Sequence, residues 1–177
     1  MLRAASVQDL TQLLPLANDP DVRPWIFPGQ QELTAPFFVQ AMIAADQGTL
    51  SYPYVIIEAE EIVGFIALQN VNPIHRRGEL TKLAVKKMKG RFQIGKRAGE
   101  DLLHIAFYNL NLNRVESLIY STNSRLRPIF RHTGTRHEGT ARQAIWHNGK
   151  FIDLEMWAIT CGDWLKHRAE REVKDAS

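Results

Sequence analysis

Residues 78 to 103, GELTKLAVKKMKGRFQIGKRAGEDLL, pass from a β-rich run through a basic, glycine-bearing stretch into a segment with apolar residues at helical spacing. A strand, a turn of small residues and a helix start in that order constrain the chain more than any other feature. The helix N-terminus gathers unpaired amides and about half a positive charge, so it attracts an anion. Six basic side chains, Lys86, Lys87, Lys89, Arg91, Lys96 and Arg97, surround the glycines at 90 and 95. That density suits a ligand with several phosphates better than a single carboxylate. The competing reading is a solvated basic loop. Gly90 to Lys96 also meets the spacing G-x-x-x-x-G-K, but Arg97 stands where a magnesium-holding Ser or Thr is required, which disfavours a nucleoside-triphosphatase.

Around this segment the periodicity changes repeatedly. LRAAS reads as a short strand. SVQDLTQLLPLAND follows as a helix with Ser6 as N-cap, closed by Pro20 and Pro24. Phe37 to Ala45 is a second helical pattern, with Phe38, Met42 and Ile43 recurring, and YPYVIIEAEEIVGFIALQNV is a hairpin turning near Glu60 and Glu61. Beyond the basic loop, Ala98, Leu102, Ile105 and Ala106 mark the third helix, and NRVESLIYST the next strand. Asn123 opens a short helix that ends at Gly134. Two last β-rich runs flank His147-Asn148-Gly149, a strong signal for a type I′ connection. The order β-α-α-β-β-β-α-β-α-β-β predicts one mixed α/β domain on a single twisted sheet rather than a doubly wound fold.

The chain's 177 residues suffice for one domain with its own core, and 45% hydrophobic with 23% charged residues is an ordinary globular balance. A single cysteine, Cys161, provides neither a disulfide nor a thiolate metal cluster and points to a reducing compartment. No apolar run reaches the roughly 18 residues of a membrane span, and Arg3 and Asp9 interrupt a leader-like start. The chain is therefore expected to be soluble and cytoplasmic, without a membrane partner. The net charge of +3 is modest for a nucleic-acid binder. A nucleic-acid surface would have to combine Lys86 to Arg97 with Arg125, Arg127, Arg131 and Arg136, and Phe92 alone interleaves them as an aromatic, so nucleic acid is disfavoured. None of the six histidines has the spacing of a metal ligand set, and no metal is expected.

The stretch from GELTKLAVKK through RHEG resembles the core of the GNAT superfamily of N-acetyltransferases. LANDPDVRPW and IWHNGKFIDLEMWAI resemble its branch that acetylates the N-termini of ribosomal proteins. The resemblance implies a GNAT-like domain over residues 1–162, followed by a charged tail or helix over 163–177. Its fold would be a mixed, mostly antiparallel twisted sheet with a splayed central strand pair and about four helices. It implies acetyl-coenzyme A as cosubstrate, a primary amine as acceptor, direct attack in a ternary complex, and leaves a homodimer open. The acceptor would be a protein N-terminal α-amine, or alternatively a small-molecule or nucleotide-linked amine. A non-catalytic acyl-coenzyme A binding module is the further alternative.

The same resemblance implies the site. The family's pyrophosphate loop carries a basic leader and two spaced small residues. Here Gly95 matches the second small residue, Gln93 replaces the first, and Lys89 or Arg91 leads. Cofactor binding is thus expected from Lys89, Gly90, Arg91, Phe92, Gln93, Ile94, Gly95, Lys96 and Arg97, with Leu83 and Val85 lending backbone groups to the thioester and pantetheine. Glu79 corresponds to a general base and also to a substrate contact, its alternative being an ordinary strand glutamate paired with Arg76 or Arg77. Asn123 corresponds to a catalytic and pantetheine-binding amide, or serves as a plain N-cap. Phe130 stands at the cofactor-side position where the family often has a thiolate-protonating tyrosine. The thiolate then leaves unassisted, Tyr120, Ser121 or Thr122 substitutes, or activity is changed. Trp25 and Phe27 fall in the family's acceptor-side loop and are expected to line the substrate pocket, their alternative being local packing beside the prolines. An α-amine of pKa about 8 loses its proton at pH 7 for about 1.4 kcal/mol, against about 4.6 for a lysine, so it needs the weaker base.

Overall fold

The computed structural model describes residues 1–175. Strand β1 (Leu2–Ala4) leads through one 3-10 turn (Val7–Asp9) into α1 (Leu10–Asn18). Asp9 fastens this entry. Its carboxylate accepts hydrogen bonds from the Ser6 amide at 2.8 Å, the Ser6 hydroxyl at 3.0 Å and the Arg3 guanidinium at 2.7 Å. The Arg3 hydrogen bond holds the Asp9 carboxyl below the usual carboxylate range. The stabilisation is therefore present above the ordinary carboxylate pKa and is lost as pH falls through the folded value. Asp9→Ala is expected to lower Tm by about 5 °C at pH 7 in a calorimetric scan, with the deficit shrinking toward pH 3.

Pro24 opens α2 (Arg23–Ile26) instead of closing α1, which already ends at Asn18; a proline in the first helical turn loses no hydrogen bond. Helix α3 (Ala35–Ile43) follows. It buries Phe38 and Met42 as the periodicity requires, whereas Ile43 points to solvent. Strands β2 (Leu50–Glu58) and β3 (Glu61–Asn72) form the expected hairpin, with Ala59 and Glu60 both at positive φ, as a type I′ turn demands. Strand β1 then adds to the outer side of β2 as the edge strand.

Strand β4 (Arg77–Val85) is followed by α4 (Arg91–His104), which ends in one π-helical turn (Ile105–Asn109). Then come β5 (Arg114–Tyr120), α5 (Arg127–Thr133), β6 (Arg136–His147), β7 (Lys150–Thr160) and α6 (Cys161–Asp175). Asn148 and Gly149 turn the last hairpin with positive φ. Among the described residues six α-helices thus stand where about four were expected. The additions are the short proline-led α2 and the full-length α6. The expected division at 162/163 falls inside α6, whose Trp164 is fully buried against α4 and the sheet. Ala176 and Ser177, the end of the expected tail, lie outside the described residues.

The seven strands run in the order β1-β2-β3-β4-β5-β7-β6, antiparallel except for β4 with β5. One face packs on α4 and α6 through residues such as Leu68, Leu80, Leu102 and Phe107, and the other on α1 and α3 through Leu13, Phe38, Val55 and Phe65. Two irregularities position the site. Phe65 pairs with Ala84 and Ala67 with Thr81, so Ile66 faces both Lys82 and Leu83, and Lys82 takes φ of 57° in this bulge. The parallel ladder joins only Arg77–Glu79 to Arg114–Glu116, after which the strands separate. At the parting point the buried Ser117 hydroxyl donates to the Leu80 carbonyl at 2.9 Å. A hydroxyl thereby satisfies the first carbonyl beyond the ladder, and the cleft begins.

Candidate active site

The opening between β4 and β5 is a two-lobed cleft. One lobe, about 330 Å³, runs from the splayed strand to the start of α4 and is lined by Leu83, Val85, Arg91, Phe92 and Gly95. The other, about 280 Å³, lies toward the paired end of the strands and is lined by Glu79, Lys82, Ser117 and Tyr120. Trp25, Ile26, Leu83, Asn123 and Leu126 belong to both walls, so the lobes meet beside Leu83. A thioester reaching in from the first lobe and an amine from the second would meet at this junction.

Helix α4 starts earlier than the residue spacing suggests. Gly90 occupies the left-handed region at φ of 80° and serves as N-cap, so Arg91 to Arg97 are helical and the loop is confined to 86–90. The Arg91 amide turns back to the Met88 carbonyl, and those of Gln93 and Ile94 to Gly90. Gly95 therefore acts within a helix. A Cβ there would stand 3.1 Å from the Ile129 side chain, so its hydrogen lets α5 approach and keeps the cleft floor open. Of the nine residues expected to hold pyrophosphate, Arg91, Phe92 and Gly95 line the lobe. Lys89, Gly90 and Gln93 are exposed at the helix start, and Ile94 is buried in the core. Lys96 lies over the Phe92 ring at 4.7 Å, and Arg97 is engaged by Glu58 at 2.7 Å. The basic run thus divides between the cleft, the surface and internal pairing.

Glu79 is half-buried on the face of β4 turned toward α3, between Gln69 and Glu116 of the neighbouring strands. Burial pushes its carboxyl up, with lesser upward effects from the charges of Glu116 and Asp46; the Asn70 side chain and Arg77 oppose them. Neither basic residue considered as its partner pairs with it: Arg77 lies 3.8 Å from Glu116, and Arg76 donates to Asn111. Lys82, on the same face, donates to the Ile26 carbonyl at 3.1 Å and lies 4.8 Å from the Phe27 ring centre. Burial lowers its pKa.

Asn123 is not the N-cap of α5, which begins four residues later with Leu126 in that position. Its amide instead bonds the Tyr120 carbonyl in a turn, and the residue walls both lobes. Phe27 and Phe130 are absent from the walls. Phe27 is buried against Phe37 and Phe38, and Phe130 packs on Trp157 with ring centres 5.4 Å apart. Both are apolar side chains on inward-facing turns, where a core contact outweighs exposure to a cleft. Trp25 does line the walls, stacked near His147, which also approaches Tyr120 at 5.2 Å. Burial raises the Tyr120 hydroxyl's pKa.

Sequence reasoning overlooked Lys82 and the strap-like role of α2. The one available signal for Lys82 was a charge inside the otherwise apolar alternation LTKLAV. Nothing local marked α2. Ile26 holds Lys82, the Asp21 carbonyl accepts from Arg125 at 3.2 Å, and Trp25 meets His147, so this segment roofs the cleft by long-range contacts. Among the described residues, no three His, Cys, Asp or Glu side chains cluster as a metal site, and no helix is long and apolar enough to cross a membrane.

A family model described as an acetyltransferase (GNAT) domain matches residues 1–136. A curated relative named "Putative ribosomal N-acetyltransferase YdaF", from Bacillus subtilis (strain 168), is 29% identical over 103 residues, which make up 58% of this chain. The match spans 56% of that relative's length. Among solved structures, a chimera of spermidine N-acetyltransferase SpeG from Vibrio cholerae and hSSAT superposes with a TM-score of 0.78 at 20% identity, covering 93% of this chain and 97% of that one. The Vibrio cholerae spermidine N-acetyltransferase in complex with CoA and spermine gives 0.73 at 18% identity, with the same coverage. At these identities the likeness shows a common fold.

Proposed function

Since the chain belongs to the acetyltransferase (GNAT) domain family, we propose that it moves an acetyl group from acetyl-coenzyme A to a primary amine, the α-amine of a protein N-terminus, by direct attack in a ternary complex. The observation that carries this reading is the two-lobed cleft whose walls join at Leu83 and Asn123. The larger lobe fits the cosubstrate. It is mainly apolar, as a pantetheine arm requires, and ends at the N-terminal turn of α4 beside Arg91, where the positive end of the helix dipole and a guanidinium favour phosphate. Leu83 and Val85 lie on the unpaired edge of β4, whose backbone groups are free to meet the arm and the thioester oxygen.

In the smaller lobe Glu79 takes the proton from the acceptor ammonium, directly or through a water. Its raised pKa brings it nearer to the pH at which the amine must be neutralised. The neutral nitrogen attacks the thioester carbonyl carbon, a C–N bond forms, the C–S bond breaks, the thiolate departs, and the second proton shed by the nitrogen passes, through water or a hydroxyl, to that thiolate. Phe130 cannot protonate it. Tyr120, which lines the smaller lobe, carries the one phenolic hydroxyl among the residues that line the two lobes. With a thiol pKa of about 8.5 the thiolate is a tolerable leaving group, so this proton assists rather than permits the step. The resemblance to a relative named for ribosomal N-acetylation, together with the lower cost of neutralising an α-amine, favours a protein N-terminus.

Isothermal calorimetry with acetyl-coenzyme A, followed by thiol release with N-terminal peptides, tests the reading. Saturable binding and acceptor-dependent release are expected; absence of binding at low salt overturns it.

A further inference from the structure

Among the residues that line the acceptor lobe, Glu79 and Lys82 are the two with an acidic or basic side chain. They project from the same face of β4, because the bulge at Lys82 and Leu83 returns Lys82 to the side that Glu79 and Thr81 occupy. They do not pair with each other. The charges that act on Glu79 are those of Glu116, Asp46 and Arg77. Among the described residues no carboxylate lies within ion-pair reach of Lys82. Its ammonium has a backbone carbonyl and an aromatic face as company and at most one of its three protons engaged. A desolvated cation without a counter-ion is unfavourable unless a ligand supplies one.

We propose that the acceptor lobe selects an amine bearing an anionic group, with the amine at Glu79 and the carboxylate or phosphate at Lys82. This rests on the transferase reading above and sharpens it. Three residue steps of strand, roughly 10 Å at most along the backbone, separate the two side chains, so amine and anion belong to one small molecule or to one chain end of the acceptor. A polycation is the wrong partner for this lobe. Its second and third charges would face Lys82, and the single carboxylate present is held toward its neutral form by burial. The fold shared with spermidine acetyltransferases therefore carries a different acceptor chemistry here. The anionic amine could be a free acidic amino compound or a peptide N-terminus with an acidic residue beside the α-amine.

The test compares initial rates of thiol release for spermidine, free aspartate, and hexapeptides with Asp, Ala or Lys at the second position, using the full chain and its Lys82→Met and Lys82→Arg variants. The acidic acceptors are expected to exceed spermidine and the Lys peptide in kcat/KM by at least about tenfold. Lys82→Met is expected to erase that margin mainly through KM, while Lys82→Arg retains most of it. Preference for free aspartate over the Asp peptide, or the reverse, identifies the source of the anion. Equal rates across charge, a preference for spermidine, or a Lys82→Met loss shared by every acceptor would overturn the proposal. The acceptor series on the unaltered protein decides the matter if Lys82→Met does not fold. Acetyl-coenzyme A binding with charge-blind transfer refutes this inference alone, whereas no binding refutes the transferase reading and this one together.

Discussion

Glu79→Gln is expected to lower kcat for a peptide α-amine by about a hundredfold, while acetyl-coenzyme A affinity changes less than about twofold. The amide keeps the shape and the Asn70 contact but cannot accept a proton at neutral pH. Burial raises the native pKa, so the acidic limb of kcat/KM should lie above the ordinary carboxylate range, and the variant should lack that limb. The same shift has a stability consequence of opposite sign to that of Asp9. A carboxyl whose folded pKa is raised favours the native state at low pH and costs stability as pH rises from its unfolded value through its folded one. Glu79→Gln should therefore melt no lower than the unaltered protein at pH 7, and slightly higher. Steady-state kinetics from pH 5 to 9 and parallel melts check both parts. A hundredfold loss accompanied by a lower Tm would mean that the glutamate holds the sheet instead of the proton.

Gly64→Ala should produce the largest loss of stability. Gly64 lies on β3 opposite Val85, and a Cβ there would stand 2.3 Å from the Ala84 carbonyl oxygen and 3.2 Å from the Val85 Cα. Both obstacles are backbone of the splayed strand, so no side-chain rotation relieves them. The strand must move or the ladder must break, at a cost of at least about 3 kcal/mol. That is on the order of a 10 °C fall in Tm for a chain of this size. Because the displaced backbone is the wall of the larger lobe, acetyl-coenzyme A binding should weaken along with stability. Gly139→Ala is the control, since nothing lies within 4 Å of its would-be Cβ. Urea unfolding of both variants gives the comparison.

The parts of this architecture that depend on neighbouring residues were legible before any coordinates. The hairpins at Ala59-Glu60 and Asn148-Gly149, the buried Phe38 and Met42, and the passage from β4 into α4 all follow from local pattern and turn chemistry. Elements that depend on distant chain segments were not. Helix α4 extends back to Arg91 because Gly95 and Gly99 face α5, a contact made across some thirty residues of sequence. Phe27 and Phe130 had been assigned to the cleft, but the core behind each wall takes them. Lys82 carries no local signal beyond a charge within an apolar strand, yet the bulge and α2 enclose it. Of the residues the resemblance implies for the site, Phe27, Lys89, Gly90, Gln93, Ile94, Lys96, Arg97 and Phe130 do not line the two lobes, whereas Trp25, Glu79, Leu83, Val85, Arg91, Phe92, Gly95 and Asn123 do. Their adjacency rests on where the β4–β5 ladder stops, which no local signal encodes.

That short ladder has a mechanical consequence. Three residues on each strand, with the Ser117 hydroxyl at their end, fasten one half of the sheet to the other along one line, in a shorter ladder than those on either side of it. A bound thioester that touches both walls would act there as a tie-bar. Thermal opening of the empty protein should begin along this line, and the cosubstrate, beyond its chemistry, would complete the join that the backbone leaves unfinished.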